Sequence, residues 1–172
     1  MRVSTTAPLE DNERAILLTG VRTDGSIESR TTWFFFSFPA HPDILIRPQR
    51  SRLRLDQGSW LLIWHRPKTG AQITFPVSTE IREWLPWFLE TQTEHSGMEY
   101  VRRVRAFGNR IGLEGLAPRT LMHDCCYRTL QYLNWDVHAA ALATGKSMNV
   151  LIGYVKKRKQ AESIPLLRQM VG

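Results

Sequence analysis

Hydrophobic and polar positions follow two different periods along this chain, and the switches between them set the order of its elements. Glu10, Asp11 and Glu13 precede the run Ala15-Ile16-Leu17-Leu18, and Gly20 follows it. Acidic residues in a first turn and a glycine after the apolar run predict a short helix within Pro8–Val21. Ser26–Phe38 holds too many aromatics for a surface loop but shows no single period, and Pro39, Pro42 and Pro48 interrupt the next stretch. Arg52–Leu55 then alternates strictly, Asp56-Gln57-Gly58 is turn chemistry, and Ser59–His65 completes a β-hairpin. A second turn, Pro67-Lys68-Thr69-Gly70, leads into Gln72–Val77, so three short antiparallel strands are expected over residues 52–77.

From Ser78, an N-cap residue type, the period becomes helical: Ile81, Trp84, Leu85 and Phe88 share a face of a helix reaching Glu90. A basic helix over Tyr100–Phe107 and a loop over Gly108–Gly115 come next. Helices are then expected from Pro118 to about Leu133, over Asp136–Thr144 and over Ser147–Lys159, the last two split at Gly145. The fold class is therefore α+β, mainly α-helical with a small three-stranded antiparallel sheet. It is expected as one domain over residues 1–172, with its C-terminal helical part over 79–172.

Composition narrows the class without naming a function. A chain of 172 residues buries a sizeable core unaided, and 42% hydrophobic with 23% charged residues excludes a disordered body. No apolar run approaches the ~18–20 residues of a membrane helix, and the first fourteen residues lack a secretory signal's apolar stretch. Cys125 and Cys126 are adjacent, so no framework of spaced pairs exists and a reducing, cytoplasmic setting is expected. Neither CxxC nor HExxH spacing occurs, which predicts no metal and no cofactor.

Charge changes the picture more. The net charge of +7 is carried wholly by the C-terminal part: twelve Lys/Arg against four Asp/Glu after Val101, and eleven against twelve before it. Such asymmetry points to a polyanion, nucleic acid first. A membrane surface needs a basic helix with an apolar face free to insert, whereas here the basic residues interleave with core-like positions. Arg102, Arg103, Lys156, Lys157 and Arg158 are the candidate phosphate contacts.

Four segments, in order, resemble the catalytic domain of the tyrosine site-specific recombinases, the phage integrase family. Leu18-Thr19-Gly20-Val21-Arg22 is similar to a helix ending in T-G-x-R, and Trp64–Gly70 with Ile73–Val77 to a β-turn lysine between two strands. Gly115–His123 resembles the loop-to-helix segment P-H-x-L-R-H. Ala143-Thr144-Gly145-Lys146-Ser147 with Tyr154 resembles L-G-H-S and the tyrosine that follows it. The likeness spans about residues 14–158. It implies double-stranded DNA as partner and cleavage and rejoining through a 3′-phosphotyrosine. Tyr154 would attack, Arg22 clamp the phosphate, Lys68 protonate the leaving 5′-oxygen, and His123 orient the phosphate or take part in proton transfer. The chemistry suits these types: arginine meets two phosphate oxygens with one planar fork, and a lysine in a turn reaches a leaving group.

The chain departs from the pattern at two positions. Arg119-Thr120-Leu121-Met122 stands where the family has H-x-x-R, so Met122 replaces the second clamping arginine and Arg119 takes the histidine's place. Lys146 stands where His or Trp is usual. A separate N-terminal DNA-clamping part is also missing, which makes the chain a stand-alone catalytic-type domain or a fragment. Two other function classes stay open on sequence. One is a non-catalytic DNA binder, either a degenerate recombinase or a helix-turn-helix with Ser147–Lys159 as its recognition helix. The other is a basic interaction module for RNA or protein. The tail Ile164–Met170, apolar at helical spacing, is expected to mediate self-association on DNA.

Overall fold

The computed structural model describes residues 1–4, 6–46, 51–66, 69–91 and 96–171. Its elements run α1 (Asp11–Thr23), α2 (Ile27–Ser37), α3 (Asp43–Ile46), β1 (Ser51–Asp56), β2 (Ser59–His65), β3 (Gln72–Val77), α4 (Thr79–Arg82), α5 (Leu85–Glu90), α6 (Gly97–Arg110), α7 (Pro118–Tyr132), α8 (Val137–Thr144) and α9 (Met148–Val171). The class is the expected one, helices with one antiparallel sheet in the order β1-β2-β3. Asp56 faces Ser59 across Gln57 and Gly58, whose φ values of 46° and 80° give the left-handed pair a two-residue turn between twisted strands requires. Pro76 is tolerated in β3 because that strand pairs on one side only, with β2. Among the described residues no helix is long and apolar enough to cross a membrane.

Several elements differ from expectation. Helix α1 does not stop at Gly20 but runs through it to Thr23. A Cβ at Gly20 would stand 2.9 Å from Ile111 Cγ2 and 3.2 Å from Phe107 Cζ, so this glycine lets α1 approach α6 rather than ending a helix. The ambiguous aromatic stretch is α2, capped by the Ser26 hydroxyl, which accepts from the Ser29 amide. It shows no clear amphipathic period because polar Thr31 and Thr32 are buried with Phe34, Phe35 and Phe36, while its half-buried stripe holds Trp33 beside Arg30 and Ser37. The single helix expected after Ser78 is two, α4 and α5. Pro86 has no amide to donate, and its ring would meet the Arg82 carbonyl of an uninterrupted helix. Finally, α9 passes through the basic run and Pro165 to Val171, well beyond Lys159.

The main core is built around α2. Phe34 packs on Phe88 with ring centroids 5.6 Å apart, Phe35 meets Tyr100 edge-on at 6.3 Å, and Leu62, Trp64 and Ile73 close it from the sheet. Burying each large apolar side chain is worth about 2–3 kcal/mol. A second, smaller cluster joins α7, α8 and α9 through Cys126, Leu130, Ala140, Leu151 and Tyr154.

Asp124 ties the N-terminal helices to α7. Fully buried, it accepts from the Leu9 amide at 3.2 Å, from Arg14 at 2.8 Å and from Arg128 at 2.7 Å. Arg128 also donates to the Phe36 carbonyl and lies 4.0 Å over the Phe36 ring. Asp124→Ala leaves two guanidinium groups and an amide without their acceptor, and is expected to cost about 3 kcal/mol. Urea unfolding measures this directly: a midpoint unchanged from wild type means the network adds nothing.

Candidate active site: a cationic cavity beside Tyr154

Pro118 opens α7 at the position where its missing N–H costs nothing. Counting from there, Arg119, Met122 and His123 fall at helical spacing on one face. Asp136 caps α8 by accepting from the Ala139 amide at 2.9 Å, and Gly145 ends it in the left-handed conformation, φ 65°. Only glycine fits there, since a Cβ would lie 2.4 Å from Ile73 Cδ1 and 2.9 Å from Arg66 Cδ. The turn that Gly145 makes delivers Lys146 and starts α9, two turns along which stands Tyr154.

These pieces enclose a cavity of about 610 Å³ between the α2–α3 connection, the end of β2 and the first turns of α7 and α9. Its charged lining is Arg66, Arg119 and Lys146, with His41 and His123; no carboxylate lines it among the described residues. Tyr154, 6% exposed, presents its hydroxyl to His123 Nδ1, hydrogen-bonded to it, with the two rings at 69°. Arg119 Nε stands 3.4 Å from His123 Nε2. Lys146 reaches across to Met122, its Nζ 2.8 Å from Sδ, and Arg66 donates to the Gly145 carbonyl.

The electrostatics come from burial and crowding by cations. Burial pushes the Tyr154 phenol well above its usual range, with Arg119 opposing, so the free site holds it protonated. Burial, then Arg119, Lys146 and Lys157, lowers His123 below the ordinary histidine value, so it is neutral at pH 7 and able to accept a proton. Burial also lowers Lys146. Cys126 lines the same cavity, but burial pushes its thiol up to about 11, which leaves it an unreactive neighbour.

Of the residues singled out in the sequence, the structure gathers Tyr154, His123, Arg119 and Lys146 around this cavity. Arg22 does not line it: from the last turn of α1 it makes a two-pronged ion pair with Glu80, at 3.0 and 3.2 Å. Lys68 lies outside the described residues. Arg102 pairs with Glu99 at 2.7 Å on the exposed side of α6. Arg103 is buried, held by Glu99 at 3.1 Å and packed on the Tyr100 ring. Arg158 is paired with Glu162 and lies 4.1 Å over Trp135, whereas Lys156 and Lys157 are exposed. Sequence reasoning missed Arg66 and His41. The two-residue period of β2 carried the first signal, since Leu62 and Trp64 are buried and position 66 continues their face. Nothing in the sequence placed His41, which arrives through the α2–α3 connection.

The solved structures similar to the chain include two of one recombinase on DNA. One is the XerH site-specific recombinase bound to palindromic difH substrate in a post-cleavage complex, with a TM-score of 0.64 and 14% identity over 94% of this chain and 54% of that one. The other is XerH with difH substrate in a pre-cleavage complex, with a TM-score of 0.62 and 15% identity over 95% and 53%. The chain thus spans about half the length of the recombinase chains it matches. No protein-family model and no curated protein matches it. The similarity therefore speaks to architecture, and it covers nearly every element from α1 to α9: this chain has the catalytic-domain-like fold of the tyrosine site-specific recombinases.

Proposed function

We propose that the chain cleaves and rejoins double-stranded DNA through a covalent phosphotyrosine on Tyr154. One observation carries the reading: a buried tyrosine hydroxyl bonded to a neutral histidine, on the wall of a cavity whose charged lining is all cationic. In the reaction, Tyr154 Oη attacks phosphorus, its proton passes to His123 Nδ1, and the 5′-oxygen leaves with a proton of its own. The bond energy stays in the 3′-phosphotyrosine, so rejoining needs no other energy source. Arg119, Arg66 and Lys146 offset the charge that gathers on the non-bridging oxygens.

As a base, His123 presents the Nδ1 lone pair to Tyr154 and carries its own proton on Nε2. Arg119, exposed, turns its Nε–H from His123 to the phosphate. Lys68 keeps the role of acid to the leaving oxygen, and Arg22, which lies off the cavity lining, would have to leave its half-exposed ion pair with Glu80 to join the clamp. XerH was captured on its difH substrate both before and after cleavage, which supports the same class of chemistry here. Self-association through the tail belongs to this reading, with Ile164 exposed on the C-terminal half of α9.

Covalent trapping tests the proposal. Wild-type protein is incubated with nicked duplexes of randomised sequence, from which the cleaved end fragment diffuses away. A protein–DNA band resistant to denaturant is expected, and its absence from every pool removes the enzymatic reading. Met122 favours a second reading, a binder that no longer cleaves, because a thioether neither carries charge nor donates. Both readings predict phosphate contacts from the exposed lysines. Lys156→Gln with Lys157→Gln is expected to weaken duplex binding and lower the slope of log affinity against log salt by about 2. An unchanged slope places the pair away from the duplex.

A further inference from the structure

We infer that Lys146 is the second phosphate-binding cation of the cavity, occupying the place that an arginine at position 122 would fill; this rests on the strand-cleavage reading for the identity of its ligand. The ammonium of a lysine has three hydrogens to donate and is costly to bury without an acceptor. Lys146 is half-buried, and among the described residues the hydrogen-bond partner of its Nζ is the Met122 sulfur, a weak acceptor, at 2.8 Å. Among the described residues no carboxylate pairs with it, and the cavity it lines contains none. A half-buried ammonium without a carboxylate partner, on the wall of a cationic cavity, is a site prepared for an anion.

The turn that carries Lys146 is fixed from three sides. Gly145 is wedged against Ile73 and Arg66, Arg66 donates to its carbonyl, and the Lys146 amide points to the Thr144 hydroxyl at 3.3 Å. Met122 then acts as an apolar seat along which the lysine stem lies, with the charged end in the cavity. The same contact explains why both positions depart from the recombinase pattern together. An arginine at 122 would put a second cation where Nζ already stands, so the chain holds one long cation from α8–α9 instead of one from α7.

The experiment uses four full-length variants and two readouts. Lys146→Met keeps the stem's volume and removes the charge, Lys146→Arg keeps the charge, Met122→Arg adds one, and the double variant Lys146→Met with Met122→Arg moves it. Affinity for inorganic phosphate is followed by NMR shift titration, and single-turnover adduct formation is followed on a duplex captured by wild type. Lys146→Met is expected to lose about tenfold to a hundredfold in phosphate affinity, the worth of one charge-assisted hydrogen bond. Lys146→Arg should stay within a few-fold of wild type. Met122→Arg alone should gain nothing in either readout, and the double variant should recover most of the loss. If Lys146→Met does not fold, Lys146→Gln replaces it, since it also lacks the charge.

Phosphate affinity unchanged in Lys146→Met, no phosphate binding by wild type, or a gain from Met122→Arg alone each overturns the inference. The two proposals fail separately. An adduct that forms at full rate without Lys146 keeps strand cleavage and drops the lysine. Phosphate binding that needs Lys146 in a protein that never forms an adduct keeps the anion site and drops the cleavage.

Discussion

Tyr154→Phe is expected to abolish the covalent DNA adduct while leaving duplex affinity within a few-fold of wild type. The substitution removes one oxygen and keeps the ring that packs against Tyr127 and His123, so the second core cluster stays filled. Its structural cost is the hydrogen bond to His123, about 1 kcal/mol. Its chemical cost is total in the proposed reaction, because the phenol oxygen is the atom that attacks phosphorus. Denaturing gels of the trapped complex, run beside thermal melts of both proteins, separate the two costs. A residual adduct in Tyr154→Phe would move the nucleophile elsewhere. Tyr127, whose ring centroid lies 6.2 Å from that of Tyr154, is then the first residue to replace.

The second large effect belongs to His123. Burial holds the Tyr154 phenol protonated, so attack needs a base, and His123 is the group in contact with it. His123→Ala is expected to slow adduct formation by about 10²–10⁴, the usual worth of a positioned general base. The pH profile gives the sign. His123 acts when neutral, so the wild-type rate rises with pH through its pKa, and burial plus the surrounding cations lower that pKa from 6.5. The midpoint of the rise is therefore expected on the acid side of 6.5, below that of an ordinary histidine. His123→Ala should lose that inflection. A wild-type profile still climbing steeply through pH 8 would show that another group takes the proton.

Most of the architecture was legible because it rests on local chemistry. The alternation of Arg52–Leu55, the Gln57-Gly58 turn and the Asp136 and Pro118 helix starts each announce their element within a few residues. Helix α2 was illegible for the opposite reason: most of it is buried, and its half-buried stripe, Arg30, Trp33 and Ser37, mixes polar with aromatic residues, so no polar face sets a period. The site divides along the same line. Arg119 and His123 share one helix face, and Gly145-Lys146 with Tyr154 span one turn and one helix start, so spacing alone brings each pair near. Whether Arg22 reached the cavity depended on Glu80, 58 residues away, and on a tertiary contact that no local pattern encodes. Arg66 and His41 enter the cavity from distant elements, and only packing brings them there.

The bond from Arg66 to the Gly145 carbonyl links the sheet to the helix that carries Tyr154, and its two ends differ in how they can drift over generations. At position 145 the acceptor is main chain, present whatever the residue, while the glycine itself is locked by its left-handed φ and its crowded neighbours. At position 66 the donor is a side chain that a single codon change can shorten or neutralise. A lineage that gives up strand cleavage while keeping its shape would therefore break this link first at the arginine, leaving an intact glycine turn as the trace of the lost activity.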